Sequence, residues 1–220
     1  KIILNTTLLP ADKFKRALSA MRDVFSSKLS VSDLVAVARE GERLGDLPIP
    51  EGKVGFGTIC SITINGILLR SGVPVDSKFG GILQMKNFKP LRFTELISYS
   101  GSSLDPLEVF IRGRMTSVKE AARVGDGKIL ASFREIPAVC RDHVETLLAR
   151  INHLGLRGLI TLGDQSQELL DVPVGVNRIG MVVAGGLTPL AAAAERGIST
   201  DNRARSTMYD FEALRSFWEL

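Results

Sequence analysis

Histidine, cysteine and aromatic residues are scarce in this sequence, and their scarcity excludes several kinds of chemistry. The 220 residues include two histidines, two cysteines, two tyrosines and one tryptophan. Cys60 and Cys140 form no spaced pair, and His143 and His153 belong to no cluster of ligand residues. A zinc site needs such clusters, so we expect no metal and no cofactor. Both cysteines are expected to be small buried apolar residues.

Long apolar runs and clusters of one charge are absent as well. The longest apolar stretch, 179–194, is broken by glycine and proline and falls short of the about 20 residues that a membrane span needs. No secretory leader is visible, so we expect a cytoplasmic location and no membrane partner. The net charge of +4 allows an anionic partner, but no run of five basic residues indicates nucleic acid. Because the chain begins with Lys1, we expect a piece of a longer protein.

Familiar catalytic motifs are missing. The sequence has no nucleophile elbow, Walker-type loop, HExxH motif or dinucleotide fingerprint, and the glycines at 55–57 and 185–186 are too few for a phosphate loop. Cys60 precedes a predicted helix, where a thiolate would be favoured, but no basic partner is near it in sequence. We therefore expect no catalytic residue and no enzyme.

An internal repeat is the strongest pattern in the chain. The segment DLPIPEGKVGFG begins at Asp46, and DVPVGVNRIGMV begins 125 positions later at Asp171, with Asp, Pro and Gly in the same places. The segments KIILNTTLLPA and KILASFREIPA, at Lys1 and Lys128, also correspond. Three further pairs keep the 125-residue spacing, namely Thr63 with Thr188, Gly72 with Gly197 and Asp76 with Asp201. We conclude that the chain is a duplication.

Each copy predicts the order β-α-β-β-α-β. A β-rich run ends at Pro10 or Pro137 and leads into an amphipathic helix, two apolar strands follow, and a second helix ends at Gly72 or Gly197 before a last strand. This order predicts an α+β fold of two ferredoxin-like subdomains. The sheet of each subdomain has one bare face, which would be covered either by the other subdomain or by a second chain. We expect subdomains at 1–96 and 128–220.

The residues between the copies, 97–127, predict a helical connecting insert. A polar loop comes first, then a short helix from Pro106 to Gly113, then a second short helix that starts with a capping box of Ser117 and Glu120. Such an insert is either a linker or a place where function was added.

A resemblance to a known family covers nearly the whole chain and is densest from Gly55 to Pro137. The segments FGGILQ, PLRFTELISYSGSSLDPLEVFIRGRMTSV and GKILASFREIP resemble the effector domain of the archaeal nitrogen repressor NrpR. The resemblance implies a regulatory domain that binds 2-oxoglutarate, forms homodimers and follows a winged helix-turn-helix. In that family, the ligand releases the repressor from DNA. No winged helix is present in these residues, so DNA would be contacted only through a domain outside this chain.

A dianion such as 2-oxoglutarate needs its two carboxylates neutralised at separate points. We expect its site between two groups of residues. The candidates in the first copy are Cys60, Ser61, Thr63 and Lys78, and those in the insert are Ser102, Ser103, Arg112, Arg114 and Thr116. Two alternatives stay open. The chain could be a small-molecule enzyme acting on an anionic metabolite, or a purely structural dimerisation module.

Overall fold

The structure is a computed structural model that describes all residues from Lys1 to Leu220. Its twelve strands are β1 (Ile2–Pro10), β2 (Leu34–Ala38), β3 (Arg43–Leu44), β4 (Leu47–Pro48), β5 (Lys53–Ile59), β6 (Asp76–Lys86), β7 (Lys89–Ser98), β8 (Gly127–Pro137), β9 (Leu159–Leu162), β10 (Arg178–Ala184), β11 (Asp201–Tyr209) and β12 (Arg215–Ser216). Its six α-helices are α1 (Phe14–Ser26), α2 (Ile62–Arg70), α3 (Pro106–Arg112), α4 (Val118–Val124), α5 (Arg141–His153) and α6 (Thr188–Glu195). None of these helices is long and apolar enough to cross a membrane.

Ten of the strands form two antiparallel sheets. The first sheet has the order β11-β1-β5-β2-β12, and the second sheet has the order β7-β6-β8-β10-β9. The strands β3 and β4 form a separate small hairpin. Each sequence copy supplies the β-α-β-β-α-β order, so the predicted α+β fold with duplicated ferredoxin-like units is confirmed. Gly72 and Gly197 follow α2 and α6 with φ values of +82° and +73°, as the predicted helix stops require.

The two copies exchange their last strands. Strand β11 of the second copy pairs with β1 in the first sheet, and β6 of the first copy pairs with β8 in the second sheet. Helices α2 and α6 precede these strands, so each helix leads from one sheet into the other. The segments 1–96 and 128–220 are the two sequence copies, but neither sheet is built from one segment alone.

The helices pack on the sheets and enclose two apolar cores. Each core contains residues of both copies. Helix α1 packs against α6, and Met21 of α1, Phe56 of β5 and Leu190 of α6 belong to the same core. Ile64 of α2 and Val144 of α5 belong to the other core. Each such side chain contributes about 1.5–3 kcal/mol when it is fully buried. The exchange is thus held by packing as well as by strand pairing.

The predicted insert helices are present as α3 and α4, but the capping box is wrong. The side chain of Ser117 makes no capping hydrogen bond, and its Oγ accepts instead from the backbone N–H of Lys128. The carboxylate of Glu195, at the end of α6, accepts from the N–H groups of Val118 and Lys119 at 2.6 and 3.1 Å. A carboxylate from a distant part of the chain satisfies the free N–H groups at a helix start as well as a neighbouring one does. The cap of α4 is therefore supplied by α6 and not by its own first residues.

The turn after β5 contacts the turn after β10. These are the two turns from which the chain passes, through α2 and α6, from one sheet to the other. A Cβ atom on Gly186 would lie 2.5 Å from the carbonyl oxygen of Ile59 and 3.2 Å from the Cα atom of Cys60. Only glycine allows the two backbones to approach this closely. The corresponding turns of the two copies are therefore brought side by side.

Candidate functional site

A cavity of about 130 Å³ lies beside this contact between the two turns. It is smaller than the pockets of about 300–1,000 Å³ that hold drug-sized ligands, and so suits a small metabolite. Its walls come from both copies and from the insert. The polar residues that matter most are Asn5, Ser61, Tyr99, Asp105, Arg134 and Arg205.

Arg134 places a buried positive charge against the cavity. The residue lies in the middle of β8, is 3% exposed, and donates from Nη2 to the Oγ atom of Ser61 at 2.9 Å. Its Nε and Nη1 atoms are buried and have no hydrogen-bond partner. Burial lowers the pKa of Arg134 to about 10, so the guanidinium is still cationic at neutral pH. A buried charge with two free donors is costly, which indicates a place prepared for an anion.

Several other groups that line the cavity are polar and uncharged. Burial raises the pKa of Tyr99 to about 12 and also raises the pKa of the Cys60 thiol, so both groups keep their protons at neutral pH. Asn65 donates from Nδ2 to the Oγ atom of Ser77 at 2.8 Å, while its Oδ1 atom is buried without a partner. No group of three or more His, Cys, Asp and Glu side chains could hold a metal ion. The arrangement suits reversible binding of an anion.

A second guanidinium, that of Arg205, also lines the cavity, and there it faces a carboxylate. Nη2 of Arg205 lies 3.6 Å from Oδ2 of Asp105, and the two side chains are 50% and 13% exposed. Asp105 also caps α3, because its Oδ1 accepts from the N–H of Leu107 at 3.0 Å. With Arg134, the cavity holds two positive charges and one negative charge. It therefore attracts anions.

The predicted residues of the first copy fall partly in the cavity. Cys60 and Ser61 line it. Thr63 is in the first turn of α2 and its hydroxyl oxygen is buried without a partner, but the residue is not part of the lining. Lys78 is bound to Asp76 at 2.7 Å and to Glu135 at 3.3 Å, and these carboxylates raise its pKa.

The predicted residues of the insert do not meet the cavity. Ser102 and Ser103 are exposed, and Ser102 bonds to the backbone of Leu104. Arg112 is 72% exposed, with Glu108 as its nearest carboxylate at 3.9 Å.

Arg114 and Thr116 line a separate depression together with Glu195. The hydroxyl of Thr116 donates to the carboxylate of Glu195 at 2.8 Å. The structure thus separates the two predicted groups, and the nine ligand contacts stay predictions.

Sequence reasoning missed Arg134, Arg205, Asp105, Asn65 and Tyr99. One signal was available for Arg134, because a charged residue in the apolar strand KILASFREIP must be paired, exposed or functional. Nothing comparable marked the others. Their side chains reach one cavity only because β11, the insert and α2 come together in the fold.

The equivalent place in the other half of the duplication is closed. Arg134 pairs across the strands with Ser77, and the corresponding pair on β1 and β11 is Thr7 with Asn202. The hydroxyl of Thr7 donates to Oδ1 of Asn202 at 2.8 Å, and Nδ2 of Asn202 donates to the Thr200 hydroxyl at 3.0 Å. These groups satisfy one another and leave no free charge. The duplication therefore retains one candidate anion site and not two.

The sequence of this chain is similar to a known protein family and to two curated proteins. The sequence profile of the NrpR regulatory domains NRD1 and 2 matches residues 1–216. The chain is 36% identical over 214 residues to the global nitrogen regulator NrpRI of Methanosarcina mazei, covering 97% of this chain and 66% of that protein. It is 30% identical over 219 residues to the global nitrogen regulator NrpR of Methanocaldococcus jannaschii, covering 100% of this chain and 36% of that protein.

A solved structure agrees with these matches. The crystal structure of a nitrogen repressor-like protein from Methanococcus jannaschii superposes with a TM-score of 0.80 at 30% identity, covering 98% of this chain and 88% of that chain. The chain thus spans about two thirds of one curated relative and about a third of another. The fold, the duplicated order and the matched length agree, and the chain belongs to the family of NrpR regulatory domains.

Proposed function

We propose that this chain is the ligand-sensing regulatory domain of a transcriptional repressor of nitrogen-assimilation genes, and that it binds 2-oxoglutarate in the cavity beside Arg134. The observation that carries the proposal is the buried guanidinium with two free donors. A carboxylate can pair with one edge of such a group, accepting from one of the free nitrogens and from the second hydrogen of Nη2. Ser61 and Tyr99 offer neutral hydroxyls to the 2-oxo end of the ligand.

The relatives support a nitrogen signal. They are global nitrogen regulators. The resemblance to the NrpR family implies 2-oxoglutarate as the signal, the carbon skeleton that accumulates when nitrogen is scarce. The cavity gives no comparable support to catalysis. Its thiol is protonated, it holds no histidine, and it is lined by no paired acid and base. We therefore infer a sensor that works in the cytoplasm and that is not an enzyme.

The proposal includes a homodimer and an indirect link to DNA. Both sheets end in exposed edge strands, β7 and β11, and Leu96 and Met208 on these strands are 58% and 61% exposed. Exposed edges with apolar side chains favour association. DNA would be bound by a winged helix-turn-helix outside these residues. A dimer is expected in light scattering at micromolar concentration, and a monomer there would contradict this part.

Titration calorimetry tests the ligand. We expect 2-oxoglutarate to bind, and glutamate and citrate to bind at least about tenfold more weakly, because an ammonium group or a third carboxylate leaves charge unpaired in the cavity. Binding should weaken as salt rises. Equal or absent heats for all three compounds would remove support for the proposal. An unchanged melting temperature with every metabolite would instead favour a purely structural dimerisation module.

A further inference from the structure

The ion pair of Arg205 and Asp105 has a role beyond holding the fold together. Arg205 lies in a bulge of β11, where the pairing with β1 shifts between Leu4 and Thr6. Its φ is +50°, a left-handed conformation that is strained for arginine. Bulges beside functional sites redirect a side chain, and this one directs the guanidinium of Arg205 to the cavity.

The backbone of this bulge is held from two sides. The N–H of Arg205 donates to Oδ1 of Asn5 at 3.1 Å, and the N–H of Ala204 donates to Oε1 of Glu108 at 2.6 Å. Strain of this kind persists only where neighbouring groups enforce it. The backbone that carries the Arg205 side chain is thus held by the fold without a contribution from Asp105, and the guanidinium is free to change partners.

The contact between Asp105 and Arg205 is loose. At 3.6 Å it is an ion pair without a short hydrogen bond, and Arg205 is half exposed. Only one oxygen of Asp105 has a hydrogen bond, to the start of α3. A ligand carboxylate that approached Arg205 with better geometry would replace a weak contact with a stronger one.

We propose that Asp105 is a built-in competitor for the second carboxylate of the ligand, and that Arg205 turns from Asp105 to that carboxylate when the ligand binds. This inference rests on the proposed function. Arg134 takes the first carboxylate in the depth of the cavity, and Arg205 takes the second. Asp105 then opposes the dianion as a like charge and limits its affinity. Because Asp105 begins α3, occupancy of the cavity changes the contacts of the insert.

Two variants and two ligands test this competition. 2-Oxopentanoate has the same five-carbon 2-oxo acid chain as 2-oxoglutarate but lacks the second carboxylate. We expect Asp105→Asn to bind 2-oxoglutarate about three- to tenfold more tightly and 2-oxopentanoate less than about twofold more tightly, because only the dianion competes with Asp105. We expect Arg205→Gln to bind 2-oxoglutarate about tenfold or more weakly and to leave 2-oxopentanoate almost unchanged. Calorimetry on the whole chain measures both.

The outcomes separate this inference from the proposed function. If the unchanged chain does not bind 2-oxoglutarate, both are overturned. If it binds and Asp105→Asn shows equal or weaker affinity, or equal gains for both ligands, only the competition is overturned. Asparagine caps a helix as well as aspartate does, so the Asp105→Asn chain should keep its fold, which its melting temperature verifies.

Discussion

Replacing Arg134 with methionine should have opposite effects on stability and on binding. Methionine reaches about as far as Nε of arginine, so the change removes the charged end of the side chain and keeps much of the apolar packing of its stem. Burial lowers the pKa of Arg134 from its usual 12.5 to about 10. Because one pKa unit equals about 1.4 kcal/mol, the charged group costs the folded state about 3 kcal/mol.

Removal of that cost is partly offset. The variant also loses the hydrogen bond from Arg134 to Ser61, which contributes about 1 kcal/mol. We therefore expect Arg134→Met to stabilise the ligand-free chain by about 2 kcal/mol, or about 4–8 °C in melting temperature for a chain of this size. Affinity for 2-oxoglutarate should fall by about 3–6 kcal/mol, since two charge-assisted hydrogen bonds are lost. This is a factor of about 10²–10⁴ in Kd.

Scanning calorimetry measures the stability and titration calorimetry the affinity. The matched control is Arg150→Met, because Arg150 is exposed on α5 and makes no ion pair, so neither quantity should change. Two results would refute the reasoning. One is a Met variant that binds within tenfold of the unchanged chain, and the other is a Met variant destabilised by more than about 2 kcal/mol.

Three further outcomes follow from the fold. Calorimetry should give one ligand per chain, since the equivalent place in the duplication is closed, and a stoichiometry of two would disprove that. Glu195→Ala should destabilise the chain by about 1–3 kcal/mol in urea unfolding, because α4 loses its cap. Glu212→Ala, at an exposed position, is the control and should not change the stability. Equal effects of the two changes would contradict the cap. The fragments 1–96 and 128–220 should be unfolded alone by circular dichroism and regain structure when mixed, since each lacks a strand of its sheet. A folded single fragment would argue against that dependence.

The local elements were largely predictable. Apolar spacing located α1 and α5, the Thr188-Pro189 pair located the start of α6, and the glycines after α2 and α6 located their ends. These signals are local, since a helix face, a cap and a stop each depend on a few neighbouring residues. Duplicated order then indicated the fold class without any contact being known.

The candidate site was predictable only in part. Cys60 and Ser61 were chosen because strand-to-helix turns expose N–H groups, and they do line the cavity. The arginines of the insert were chosen because they are close in sequence, but Arg112 and Arg114 lie away from the cavity. Arg134 and Arg205 are 71 residues apart in number and were not paired, since their meeting depends on which strand joins which sheet.

The sequence by itself determined most of the helices and strands, their doubled order, the glycine-controlled ends of the helices and the family. These follow from local conformational preferences and from similarity along the chain. Only the tertiary structure decided the exchange of β6 and β11, the cap supplied by Glu195 and the assembly of the cavity. The physical reason is that either sheet could accept either last strand with the same local pattern. The choice between them is made by the packing of α1 on α6 and by the close contact at Gly186, which involve residues far apart in sequence.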